Sequence, residues 1–163
     1  MTSKLNRREV IIAGAAAALA GPALAGGHAT AEVQMLNKHP DNSKLRQVFY
    51  PRITVIEAGD AVKWVATDRG HNSASSKDMI VDGSEAWKGK INDEIEVKFD
   101  TPGFYGYQCT PHVSSGMVGL VIVKGEGMMD NLEAIKGVRQ RGKAKKTWEE
   151  IFAEVDKMDL ASA

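Results

Sequence analysis

A single cysteine, Cys109, is all this chain has, so no internal disulfide can form and a disulfide-stapled fold is excluded. Excess charge of either sign is missing as well. There are 21 Lys and Arg against 21 Asp and Glu, and a balanced chain offers no electrostatic reason to bind nucleic acid. A membrane-spanning run is also absent: the alanine-rich stretch from Val10 to Ala20 is shorter than the ~20 residues a bilayer requires and is followed by Gly21 and Pro22. Internal repeats and low-complexity linkers are not found.

What is present suits one small domain. With 163 residues, 43% hydrophobic and 26% charged, the chain can bury one core and stay soluble. Residues 1–31 read as an export signal: Lys4, Arg7 and Arg8 form a positive start, Val10 to Ala20 an apolar stretch, and Ala23-Leu24-Ala25 a small-residue cleavage site. Cleavage after Ala29-Thr30-Ala31 is the alternative. Asn6-Arg7-Arg8-Glu9-Val10-Ile11 also resembles a twin-arginine signal, which leaves the export route open. Without those 31 residues the chain keeps 18 basic and 20 acidic residues. Export would put a lone thiol into an oxidising compartment, so Cys109 needs protection.

Most of residues 32–125 read as short strands divided by turns. Val33 to Leu36 alternates weakly, Val48 to Val55 is aromatic and β-branched, and Glu57-Ala58-Gly59-Asp60 turns into Ala61 to Ala66. Glu94 to Phe99 alternates as a half-buried strand does, and Thr101-Pro102-Gly103 turns into Phe104 to Cys109. Val118 to Val123 is a continuous apolar strand. Pro51 argues for an edge or a bulge within 48–55. Many strands with strong turns define an all-β sandwich. Residues 126–163 change period. Asp130 is expected to cap a helix through Gly137, and Thr147 with Glu150 reads as a capping box ahead of Trp148, Ile151, Phe152 and Val155, which share one face. Two helices therefore follow the sandwich and pack on it, joined by the basic stretch of Arg139, Arg141, Lys143, Lys145 and Lys146.

The chemistry concentrates in Cys109-Thr110-Pro111-His112-Val113-Ser114-Ser115-Gly116-Met117, with His71 upstream after Asp68-Arg69-Gly70. Separately, a buried thiol, a core methionine and a hydrogen-bonded histidine are ordinary. Together, one thiolate, two imidazoles and a weak axial thioether form the donor set of a mononuclear copper site for one-electron transfer. A site fixed between the preferences of copper(I) and copper(II) rearranges little when the electron moves. Zinc is the poorer match, because thioether is a weak zinc ligand and paired Cys or His spacing is missing.

In residues 32 to the end, the segments Met35-Leu36-Asn37-Lys38, Gly70-His71-Asn72, Lys77-Asp78-Met79-Ile80, Lys90-Ile91-Asn92 and Cys109-Thr110-Pro111-His112 resemble the pseudoazurins, bacterial blue copper proteins of the cupredoxin family. The resemblance implies an eight-stranded Greek-key sandwich, a type 1 copper held by His71, Cys109, His112 and Met117, and a periplasmic location. It also implies electron donation to redox proteins such as copper nitrite reductase or cytochromes, with the carrier a monomer. Two further roles are implied. Asn72 ties the His71 loop to the Cys109 loop and offers a backbone N–H to the sulfur, and Pro111 keeps one donor away from it while stiffening the loop. Lys38, Lys77, Lys88 and Lys90 match a basic ring around a surface-reaching His112 and would steer acidic partners. Two departures stand out. Gln34 replaces the histidine that precedes Met35 in familiar pseudoazurins and tunes the site with pH, so that tuning is expected to be missing. The stretch Asp41 to Gln47 is longer by a few residues.

A copper enzyme would need a second metal or an open coordination position, and beyond the two ligands only His28 and His39 remain. The alternative reading is a periplasmic copper chaperone or storage protein. It would need exchangeable, solvent-open sulfur ligands, and Met128-Met129 is the one available pair. A Cys-His hydrolase lacks an oxyanion-hole or orienting motif.

Overall fold

The computed structural model describes residues 28–160; the export signal expected in residues 1–31 lies almost wholly outside them. Eight strands form two four-stranded sheets. The first has the order β2-β1-β4-β6, built from Thr30–Lys38 (β1), Arg46–Tyr50 (β2), Ala61–Val65 (β4) and Ile95–Lys98 (β6). β1 pairs antiparallel with β2 (Met35 opposite Phe49) and parallel with β4 (Val33 opposite Trp64). The second sheet, β3-β8-β7-β5, is made of Ile53–Glu57 (β3), Val118–Lys124 (β8), Gly103–Gln108 (β7) and Ala74–Ser75 (β5).

The run 48–55 is therefore two strands, not one. Pro51 has no N–H to give to a ladder, and at that point the chain leaves the edge of one sheet for the edge of the other. A sandwich core fills the space between the sheets: Met35, Phe49, Trp64, Trp87, Phe99, Tyr107 and Val121 share one buried cluster with Cys109 and Met117. β8 is apolar on both faces because both are covered. Val121 and Val123 join the inner cluster, while Val118, Leu120 and Ile122 join a second cluster beneath the C-terminal helices.

Those helices are Leu132–Lys136 (α1) and Gly142–Val155 (α2). Leu132, Ile135, Ala144, Trp148, Ile151 and Val155 are buried against the second sheet, each large side chain contributing ~1.5–3 kcal/mol. Both expected helix starts need correction. α1 begins at Leu132 after Asn131, not at an Asp130 cap, and the Asn131 amide instead bonds the N–H and carbonyl of Phe104. α2 begins five residues before Thr147, whose hydroxyl donates back to the Lys143 carbonyl at 3.1 Å; the apparent capping box is mid-helix. Lys143, Lys145 and Lys146 thus belong to α2 and not to a connection. Arg52 reaches across from the β2–β3 junction to Glu150 at 3.0 Å and to Glu154, fastening α2 to the sandwich. Among the described residues, no helix is long and apolar enough to cross a membrane.

Candidate metal centre

Between β7 and β8 the chain makes a closed loop. Pro111 is the second residue of a 3-10 helix, Thr110–Ser115, in whose first turn its fixed φ and missing N–H are tolerated. Gly116 ends it in the left-handed region (φ +89°), which a glycine adopts without strain. Backbone bonds draw the loop ends together: Cys109 N–H donates to the Met117 carbonyl at 3.0 Å, Met117 N–H to His112 at 3.2 Å, and His112 N–H to Cys109 at 3.1 Å. The three potential donors of this loop are thereby tied to one another.

His71 arrives from the β4–β5 connection. Gly70 N–H donates to Asn92 Oδ1 at 2.6 Å, and Asn92 N–H returns a bond to the His71 carbonyl at 2.9 Å. The ring is fully buried, and its Nε2 lies 2.9 Å from Asn37 Oδ1. An amide oxygen only accepts, so Nε2 carries the proton and Nδ1 keeps its lone pair. Asn37 is anchored in turn by its N–H to Asp68 Oδ2 at 2.6 Å.

His71 Nδ1, Cys109 Sγ and His112 Nδ1 form a triangle with sides of 3.1 Å (N to N), 3.5 Å (His112 to sulfur) and 3.7 Å (His71 to sulfur). An ion held at about 2.0 Å from nitrogen and about 2.3 Å from sulfur, at angles near 120°, separates its donors by roughly 3.5–3.7 Å. The triangle fits one such ion with little movement. Met117 is fully buried in the same cluster as Cys109. Burial, with His112 beside it, holds His71 below the ordinary histidine range. Burial also pushes the Cys109 thiol up, and the backbone N–H groups of Asn72 and His112 recover part of that shift by bonding the sulfur. A metal ion would displace the thiol proton on binding.

Asn72 lies between the loops. Its Oδ1 accepts from Thr110 N–H at 2.8 Å, and its Nδ2 donates to Thr110 Oγ1 at 3.1 Å and to the Gly89 carbonyl at 2.9 Å. The second sulfur donor, His112 N–H, was not foreseen, and neither were Asn37 and Asn92. Their signal is the pair of short segments Met35-Leu36-Asn37-Lys38 and Lys90-Ile91-Asn92, each carrying an asparagine that closes on His71 from far along the chain. Pro111 is exposed and His112 half-buried. Lys38, Lys77, Lys88 and Lys90 are all exposed, and none is ion-paired among the described residues. His39 stays away from the centre, its ring edge-on to Tyr50 at 5.0 Å. Met128 packs against the helical cluster, while Met129 is exposed.

The sandwich and its His-Cys-His triangle define a cupredoxin, and residues 33–124 match the model of copper binding proteins of the plastocyanin/azurin family. The chain belongs to that family, whose metal is copper and whose small members are electron carriers and not enzymes. Within it the likeness is to pseudoazurins. The chain is 40% identical to pseudoazurin of Paracoccus pantotrophus over 89% of its own length and 97% of the relative. A solved pseudoazurin from Sinorhizobium meliloti aligns with a TM-score of 0.72 at 46% identity, covering 78% of this chain and 96% of the other. The Methylobacterium extorquens structure gives 0.71 at 39%, covering 77% and 98%.

Proposed function

We propose that this chain is a periplasmic one-electron carrier whose single copper would be held by His71, Cys109, His112 and Met117. The observation that supports this best is the donor triangle: three groups from two distant segments stand 3.1–3.7 Å apart before any ion is considered. Copper bound there would supply one-electron chemistry between Cu(I) and Cu(II). The protein supplies the fixed frame. Asn37 orients the His71 ring, Asn72 and the His112 amide draw charge from the sulfur, and Pro111 stiffens the turn. A frame that does not relax keeps reorganisation small in both directions. Full burial of Cys109 protects the thiol and argues against the exchangeable ligand of a chaperone or storage protein.

Electrons would pass through the half-exposed His112. Lys38, Lys77, Lys88 and Lys90 would attract an acidic partner, with copper nitrite reductase and cytochromes the candidates by family resemblance. Residues 1–31 would direct export. Of the two cleavage sites, that after Ala25 leaves β1 whole, whereas a cut after Ala31 removes residues that pair with Ala61 and Val62. The test is visible and EPR spectroscopy of the copper-loaded mature chain, then reduction kinetics with nitrite reductase. An intense thiolate-to-copper band that bleaches reversibly on reduction is expected; a colourless protein with copper(II) bound one to one would overturn the proposal.

A further inference from the structure

We infer that α2 is an external buttress of the ligand loop: Thr147 and the Arg52 clamp fix the backbone that carries Met117, and so act as positioning residues for the copper. The contact is at Gly116, directly before Met117. A Cβ built on Gly116 would lie 2.7 Å from Thr147 Oγ1 and 3.3 Å from the Lys143 carbonyl, so the loop backbone abuts the helix with no room between them. The Thr147 hydroxyl cannot swing freely, because it donates to that same Lys143 carbonyl at 3.1 Å.

The helix itself is fixed from two sides. Trp148, Ile151 and Val155 are buried in the cluster on the outer face of the second sheet. Glu150 and Glu154, about one and two turns beyond Thr147 along the helix, are gripped by Arg52, whose carbonyl accepts from Leu120 N–H in β8 at 2.8 Å. Movement of residues 116–117 would reach the other loop donors through Met117 N–H to His112 and Cys109 N–H to Met117. An axial thioether is a weak, long ligand, so small displacements of its backbone alter the metal's environment more than they alter the fold.

This inference rests on Met117 as axial donor, and the experiment separates the two ideas. The copper-loaded chain is compared with Thr147→Leu, Thr147→Ser, Arg52→Met and Met117→Gln, reading the visible spectrum and the equilibrium with a one-electron redox dye, with thermal unfolding of each copper-free form as the check on folding. Thr147→Leu, which adds bulk against Gly116, is expected to change the relative intensities of the thiolate bands. It should also move the dye equilibrium by about threefold, ~28 mV at 59 mV per tenfold for one electron. Thr147→Ser should stay at wild type. If Thr147→Leu does not fold, Arg52→Met carries the test, with a spectral change expected. Folded Thr147→Leu and Arg52→Met variants with unchanged spectrum and equilibrium, beside a Met117→Gln that moves both, would overturn the buttress and leave the axial donor standing. An unmoved Met117→Gln would overturn both.

Discussion

His71 is wholly buried, with its Nε2 on Asn37 and its carbonyl on Asn92, whereas His112 rides half-exposed on a 3-10 turn with no hydrogen bond to its Nε2 among the described residues. Both present Nδ1 to the same sulfur. The inner imidazole is over-determined, and so it defines where a metal can sit. The outer one is held by its backbone and left open at the ring edge, which suits a group that passes electrons to a partner. The metal centre thus divides its work between a fixed wall and an accessible door.

Deleting each ring in turn should break that comparison most severely. His71→Gly and His112→Gly are both expected to lose the intense copper colour. Added imidazole should restore it in His112→Gly alone, because that gap opens to solvent. In His71→Gly the gap is internal, closed off from added imidazole. Equal rescue of the two variants, read by absorbance, would show that the rings are not held differently. Next in size is Asn37→Ala. Loss of the bond that fixes the His71 tautomer should weaken copper about 10–100-fold in competition with a chelator; unchanged affinity would mean that Asn92 and burial alone orient the ring.

The open loop was easier to read from sequence than the fixed wall. Cys109, His112 and Met117 lie within nine residues and carry their own signal of spacing and turn chemistry. The strands were legible from β-branched alternation, with Pro51 marking where one run divides between two sheets. What stayed hidden depended on partners far along the chain. Asn37 meets His71 across 34 residues, and no local pattern announces it beyond its place in a short segment. The helix starts misled for a related reason. Asn131 spends its amide on Phe104 and Thr147 returns its hydroxyl to Lys143, so residues with capping chemistry were used elsewhere.

The lysines sharpen the contrast at the open side. Replacing Lys38, Lys77, Lys88 and Lys90 together by Glu should slow electron transfer to an acidic partner by about tenfold or more at low ionic strength. The effect should fade as salt shortens the screening length to ~3 Å near 1 M. Stopped-flow rates with nitrite reductase check it, and a salt-independent rate in both proteins would reject steering by these residues.

The smallest effect concerns the fixed side and is read on the copper-free protein. Burial and the neighbouring His112 keep His71 below its ordinary value of 6.5. Below that pH the unfolded chain binds a proton that the folded chain resists, so stability present above about 6.5 is lost as pH falls toward the depressed folded value. Cys109 acts with the opposite sign. Its thiol is pushed above the ordinary 9.0, so its contribution is complete below that pH and is lost as pH rises through the folded value. Copper-free protein should therefore be most stable between these limits, with a lower thermal midpoint at pH 5 than at pH 7. Cys109→Ala should flatten the alkaline limb and leave the acid limb in place. An acid limb that vanishes together with the alkaline one would show that the two groups titrate as a unit, and the buried imidazole would then lose its independent role.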